Sequence, residues 1–142
     1  MQSTGQCLCG AVRITAVAAD SFQACHCTEC QRWTGGGPLY AIRVTDLRID
    51  GEDAVRAYRH SAWGERVFCG TCGTALYWKL QGRSIAFVAL GLLDDRSGKR
   101  LGEEIFVDHR PDWLPSAEGA AQHYEAEMKA QLDAFLKTET SL

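Results

Sequence analysis

Seven cysteines in 142 residues fall into three tight groups. Cys7 and Cys9 form a CxC. Cys25, Cys27 and Cys30 lie in the run Cys25-His26-Cys27-Thr28-Glu29-Cys30, and Cys69 and Cys72 form a CxxC within Phe68-Cys69-Gly70-Thr71-Cys72-Gly73. Buried structural cysteines would scatter along strands and helices like other small apolar residues. Groups this tight let sulfurs leave one turn and converge on one ion, with Gly and Thr permitting the bend. An odd count cannot pair entirely as intrachain disulfides. A thioredoxin-like redox motif calls for a single CxxC beside a strand-helix-strand pattern, a setting neither CxxC has. Zinc is the expectation.

Four thiolates close a tetrahedral zinc shell, so seven divide as four plus three. A site with three thiolates keeps one coordination position open, the arrangement of a catalytic rather than a structural ion. Spacing alone does not say which groups combine; the simplest choice joins CxC with CxxC and leaves Cys25, Cys27 and Cys30 as the open site. His26, His60, His109 and His123 are the alternatives for a fourth ligand. Neighbours on an extended chain point to opposite sides, so His26, between two ligand cysteines, reads as a solvated or supporting imidazole. The other three histidines have no ligand neighbour in sequence.

The elements that must place these cysteines read mostly as short strands. Val12, Ile14 and Ala16 alternate with Arg13 and Thr15, and Tyr40 to Val44 repeats the pattern. Leu47 and Ile49 lead into Asp50-Gly51, a hairpin signal with Val55 to Tyr58 as the return strand. Arg66 to Phe68 enters the CxxC and Thr74 to Lys79 leaves it. Gln81-Gly82 turns the chain into Ser84 to Leu90, an apolar run suited to a central strand, and Glu104 to Asp108 is the last strand expected. A short helix is predicted through Gln31 to Thr34, stopped by Gly35-Gly36-Gly37-Pro38. From Ser116 to Lys137, Ala121, Tyr124, Met128, Leu132, Phe135 and Leu136 recur at helical steps, with Pro115-Ser116 as the cap. The reading is one small mainly β domain with a helical C-terminus.

Composition narrows the function classes. A hydrophobic share of 46% and a charged share of 23% exclude a disordered chain. A formal charge of -3 gives no bulk electrostatic case for nucleic acid or an anionic membrane. No apolar run approaches the roughly 20 residues that span a bilayer. Met1 to Gly5 lacks the apolar core of a signal peptide, so the cytoplasm is the expected location.

The order and spacing of the motifs resemble the glutathione-dependent formaldehyde-activating enzyme family, also called the centromere protein V family. The matching text is Gly5-Gln6-Cys7-Leu8-Cys9-Gly10-Ala11-Val12, then Cys25 to Arg32 with Thr34-Gly35, then Phe68 to Thr74. Gly91-Leu92-Leu93-Asp94-Asp95, Ile105-Phe106-Val107-Asp108 and Arg110-Pro111-Asp112-Trp113 follow in the family's order. The resemblance implies a β-tent of several curled antiparallel sheets with two zinc ions over residues 1–115, and leaves 116–142 as a C-terminal helical extension packed on the same domain. It implies that Cys7, Cys9, Cys69 and Cys72 hold a structural ion, and that Cys25, Cys27 and Cys30 hold the open, catalytic one.

The activity implied is that of a carbon-sulfur lyase joining glutathione, or a related thiol, to formaldehyde or another small aldehyde, or acting on such an adduct. An open three-thiolate zinc would keep an incoming sulfur as thiolate, or polarise an aldehyde oxygen; three anionic sulfurs damp the ion's acidity and favour the first. Arg32 and Arg110 are candidates for the glutathione carboxylates, and Thr34 with the Gly35-Gly36-Gly37 backbone for hydrogen bonds near the ion. Trp33 and Trp113 are pocket walls or plain packing. Asp108 is a supporting carboxylate or a surface one. The alternative is a non-catalytic zinc module that binds glutathione, another thiol or a protein partner. Chromatin binding, as in some relatives, is disfavoured by the acidic balance. No nucleic acid or membrane partner is expected, and the chain is expected to be a monomer or homodimer.

Overall fold

The computed structural model describes residues 2–138. In chain order its elements are β1 (Gln2–Gln6), β2 (Arg13–Ala18), β3 (Ser21–Cys25), α1 (Thr28–Thr34), β4 (Leu39–Asp50), β5 (Val55–Tyr58), β6 (Gly64–Cys69), β7 (Ala75–Leu80), β8 (Ala86–Ala89), β9 (Arg100–Ile105), β10 (Ala121–His123) and α2 (Glu125–Thr138). Short 3-10 turns occupy Glu52–Ala54, Leu90–Leu92 and Val107–His109. The described residues gather into two compact units, 2–20 with 41–99, and 21–40 with 100–138.

The first unit is antiparallel throughout, with strands in the order β1-β2-β4-β8-β7-β6-β5. Alternation decides which face packs: in β2, Ile14 and Ala16 are buried and Arg13 is exposed. They join Val12, Ile42, Val44, Val67, Leu76, Leu80, Val88, Leu92 and Leu93, each with little or no exposure. Burying a Val, Leu or Ile side chain contributes about 1.5–3 kcal/mol, so this layer holds the strand ends that carry cysteines. The second unit sets β3 beside β9 and β9 beside β10, both pairs parallel, with Cys25 opposite Ile105 and His123 opposite Ile105 on the other side. Parallel neighbours need a long crossover, and residues 26–99 supply it between β3 and β9.

The mainly β expectation holds, with a mixed rather than wholly antiparallel pairing. Several elements differ from the sequence reading for identifiable reasons. Tyr40 to Ile49 is one strand: two β4 residues, Asp46 and Leu47, stand against Ala16 alone, and Asp46 takes a left-handed φ of 53°. That is a β-bulge, which bends a strand without ending it. Asp50-Gly51 does turn the chain, but it does not fold β5 back onto β4. The far end of β4 pairs with β2 through Arg48 and Thr15, and β5 pairs with β6 instead. The strand expected over Glu104 to Asp108 is β9, and it ends at Ile105 because Phe106 takes a left-handed φ of 57°. The first helix starts earlier, at Thr28, because the Cys27 sulfur accepts the Cys30 amide as its cap. The second starts later, at Glu125: Gly119 has a φ of +84°, which breaks a helix through Ser116, and Ala121–His123 joins β9 as a strand.

The C-terminal extension expected over 116–142 is thus a loop, a strand and a helix as far as 138; Met1 and residues 139–142 lie outside the described residues. Met128, Leu132, Phe135 and Leu136 on α2 are half-buried. Among the described residues no helix is long and apolar enough to cross a membrane.

Candidate metal centres

Two turns of the first unit bring four sulfurs together. After β1 the Cys7 amide donates to the Val12 carbonyl and the Gly10 amide to the Cys7 carbonyl, which leaves Leu8 almost fully exposed at the tip. After β6 the Cys69 amide donates to the Thr74 carbonyl and the Gly73 amide to the Cys69 carbonyl. The sulfurs of Cys7, Cys9, Cys69 and Cys72 all lie within 4.8 Å of one another. Cys7 to Cys9 is 3.7 Å and Cys9 to Cys69 is 3.9 Å. A tetrahedral zinc with bonds of about 2.3 Å requires sulfurs about 3.8 Å apart, so the donor set fits that ion.

The surroundings of these thiols also suit a cation. The Val12 amide points at the Cys7 sulfur at 3.3 Å. Burial resists ionisation of Cys7, yet this amide and the Cys9 and Cys69 thiols outweigh it and lower its pKa. The Thr74 hydroxyl and amide, with the Cys9 amide, bring Cys72 down to about 5. The Ala11 amide pulls Cys9 the same way, but burial and the sulfurs of Cys72, Cys7 and Cys69 push it up to about 11. Crowded thiols of this kind cannot all ionise unless a positive charge sits among them.

The second unit carries the three-cysteine group. Cys25 ends β3 and is buried, Cys27 caps α1 and is half-buried, and Cys30 is buried one turn into that helix. Their sulfurs lie within 4.8 Å of one another, and among the described residues no further His, Cys, Asp or Glu ligand atom joins the cluster. The Cys30 amide donates to the Cys27 sulfur at 3.3 Å. The adjacent Cys27 and Cys30 sulfurs, then burial, push the Cys25 thiol well above its ordinary value. No disulfide joins any of the seven cysteines.

The remaining candidates are placed unevenly. Arg32 is exposed in the last turn of α1. The Thr34 hydroxyl donates to the Gly37 carbonyl at 2.7 Å, and the Gly35 and Gly36 amides both donate to the Gln31 carbonyl, so these groups are engaged in ending the helix. Arg110 is turned inward: its guanidinium donates to Gln122 at 2.7 Å and meets the Glu104 carboxylate at 3.4 Å, which spends it within the chain rather than on a ligand. Trp33 is half-buried, whereas Trp113 is 74% exposed and is not core packing. Asp108 caps α2, its carboxylate accepting the Glu125 amide at 2.9 Å.

His26 belongs to neither cysteine cluster, as its position implied, but it is not solvated. It is fully buried, and its Nε2 lies 2.7 Å from the Glu104 carboxylate. Burial works against the charge on Glu104, yet the Ala117 amide, Gln122 and His26 outweigh it and hold its pKa below the ordinary glutamate value. The sequence reading missed this pair, since the partners are 78 residues apart. It also missed the meeting of Asp108, His109 and Glu125. The His109 Nε2 lies 2.5 Å from Glu125, whose other oxygen holds Lys129 at 2.6 Å. Capping and ion pairing account for that group, and the ammonium beside it opposes a cation.

Sulfurs placed this way could bind metal ions, and the class defined by fold and site is a mainly β chain with a cluster of four thiols and another of three. A family model described as glutathione-dependent formaldehyde-activating enzyme matches residues 2–109, and the chain belongs to that family. An uncharacterized lyase of Schizosaccharomyces pombe is 29% identical over 111 residues, covering 76% of this chain and 80% of its own. A Halomonas elongata protein whose name provisionally assigns it to glutathione-dependent formaldehyde activation is 30% identical over 124 residues, or 78% of each chain. A crystal structure of a Rhodobacter sphaeroides protein superposes with a TM-score of 0.55 at 26% identity, covering 64% of this chain and 87% of that one.

Proposed function

We propose that the three-cysteine cluster is the reactive centre of a carbon-sulfur lyase that joins glutathione, or a related thiol, to formaldehyde or another small aldehyde, or runs that reaction in reverse. The observation that carries the reading is the unequal completeness of the two clusters. Cys7, Cys9, Cys69 and Cys72 make a full sulfur shell, while Cys25, Cys27 and Cys30 leave one place for an outside ligand. Family membership supports the glutathione and formaldehyde chemistry at the level of the family.

Zinc held by the three sulfurs would keep an incoming thiol deprotonated near neutral pH and would also be able to polarise an aldehyde oxygen. The chain's own residues do the rest. Cys25, Cys27 and Cys30 fix the donor triangle, one from a strand end and two from the start of a helix. The Cys30 amide at the Cys27 sulfur keeps that ligand in one orientation. Arg32, exposed two residues beyond Cys30, is the cation offered to a glutathione carboxylate, which a guanidinium meets through two parallel hydrogen bonds. In the addition a sulfur–carbon bond forms, the carbonyl π bond opens onto oxygen, and the thiol proton ends on the new hydroxyl.

The test is metal content together with rate. Protein purified without chelator should hold close to two zinc ions per chain, and Cys27→Ala close to one. Formaldehyde adds to thiols unaided, so the parent must accelerate glutathione consumption above the uncatalysed rate and Cys27→Ala must lose that acceleration. A Cys27→Ala protein as fast as the parent removes the proposed mechanism. A parent that binds glutathione without raising the rate is a binding module instead.

A further inference from the structure

Glu104, in the middle of the second unit, is 3% exposed. Its Oε1 lies 2.7 Å from the His26 Nε2, and its Oε2 accepts from the Ala117 amide at 2.7 Å, from Gln122 at 2.9 Å and from Arg110 at 3.4 Å. A carboxylate that deep is tolerable only when its oxygens are filled, and here they are. One donor comes from the cysteine loop. The other three come from residues 110–122, past the end of the family match at residue 109.

The His26 backbone is held at both its amide and its carbonyl. Its amide donates to the Ile105 carbonyl at 3.0 Å, and its carbonyl accepts from Gln31 at 2.7 Å. The same Gln31 amide group reaches the His109 carbonyl at 2.8 Å. Among the described residues the His26 ring has a single anchor, because none of them gives the buried Nδ1 a hydrogen bond. Glu104 therefore decides how the ring sits, and the ring stands on the one residue separating the Cys25 and Cys27 ligands.

We propose that His26 and Glu104 are positioning residues for the three-cysteine cluster, and that the segment from Arg110 to Gln122 is a working part of that site. The inference rests on the reading of that cluster as an ion-binding centre. The pair fixes the backbone between two ligands, so that the sulfurs converge before an ion arrives; Ala117 and Gln122 fix the pair. Groups behind metal ligands commonly govern affinity by about 10–100-fold, which sets the scale expected here.

The experiment loads the full chain with zinc or cobalt(II) and follows transfer of each ion to a competing chelator, with the four-cysteine ion as internal reference. The variants are His26→Leu, which removes the ring nitrogens, His26→Gln, which restores a donor toward Glu104, and Gln122→Leu, which removes hydrogen bonds to Glu104 and Arg110 from outside the cysteine loop. His26→Leu should release the second ion about 10–100-fold faster and alter the cobalt absorption bands of that site, with the reference ion unchanged. His26→Gln should recover much of the loss, and Gln122→Leu should move release in the same direction by several-fold. Should His26→Leu fail to fold, Gln122→Leu and His26→Gln decide the matter. Equal acceleration of both ions means general loosening and overturns the proposal, as do unchanged release rates and bands. A parent that binds one ion only overturns the reading of the open cluster, and this inference falls with it; two ions in the parent with unresponsive variants overturn this inference alone.

Discussion

The hydroxyl of Thr74 lies 3.1 Å from the Cys72 sulfur and, from its other side, accepts the Leu8 amide at 3.1 Å. One side chain thus ties the CxC turn to the CxxC turn and hydrogen-bonds the Cys72 sulfur. Its hydroxyl is the main cause that brings the Cys72 pKa down to about 5. Thr74→Val keeps the shape and deletes both bonds. The four-cysteine ion should then pass to a chelator about 10-fold faster, and Thr74→Ser should stay near the parent rate. Equal rates for Val and Thr would mean the hydroxyl plays no part.

Cys69 and Cys27 should differ sharply on replacement by alanine. Cys69 is wholly buried at the end of β6, opposite Val55, and its cluster joins turns that are about 60 residues apart in sequence. An ion held there would close a long loop and contribute directly to folding. Cys69→Ala should lower the Tm by roughly 10 °C or more, whereas Cys27→Ala should keep cooperative unfolding and parent-like circular dichroism. Parent-like stability in Cys69→Ala would deny the four-cysteine site its structural role.

How much of this was legible in the sequence follows from how local each interaction is. The cysteine groups could be read because each is one turn long, so sulfurs adjacent in sequence are adjacent in space. Counting divides seven into four and three, but which groups combine rested on the family resemblance. Glu104 could not be read, since Glu103-Glu104-Ile105 looks like the polar side of an edge strand until β3 and β10 flank it. Arg110 looked available for a ligand for the same reason: its acceptors, Glu104 and Gln122, are supplied by tertiary structure. Ala121 and Tyr124 fit a helical step by coincidence. The parallel pairing with β9 and the turn at Gly119 outweigh that local preference.

Glu104 also gives the chain a defined acid response. Its folded pKa lies below the ordinary value of 4.5, so its contribution to stability is complete above that value. It is lost as pH falls from there through the folded pKa, when the folded state must take up a proton it had resisted. Urea unfolding from pH 6 to pH 3 should therefore fall more steeply for the parent than for Glu104→Gln. The difference between the two curves is the quantity to read, because ions held by the cysteine sites would be shed in the same range. Parallel curves would remove Glu104 from the acid response.

Gly51 allows a stability prediction with its own control. Its φ is +86°, and a β-carbon placed there would strike the Ala11 carbonyl oxygen. Ala11 follows Cys9-Gly10, and its amide bears on the Cys9 thiol, so the close approach lies directly behind the CxC turn. Gly82 has a similar φ of +72° but no atom within 4 Å of the same position. Gly82→Ala should cost about 1–2 kcal/mol, the ordinary penalty of a side chain in left-handed backbone. Gly51→Ala carries that penalty and about 1–3 kcal/mol more for the forced backbone shift. It should also hasten loss of an ion held by the four cysteines, since the carbonyl it displaces belongs to the same turn as Cys7 and Cys9. Chemical denaturation of the two variants side by side measures the gap. Equal costs would show that Gly51, just past β4, does not press against the CxC turn, and an unchanged ion-release rate would show that the turn absorbs the shift without moving its sulfurs.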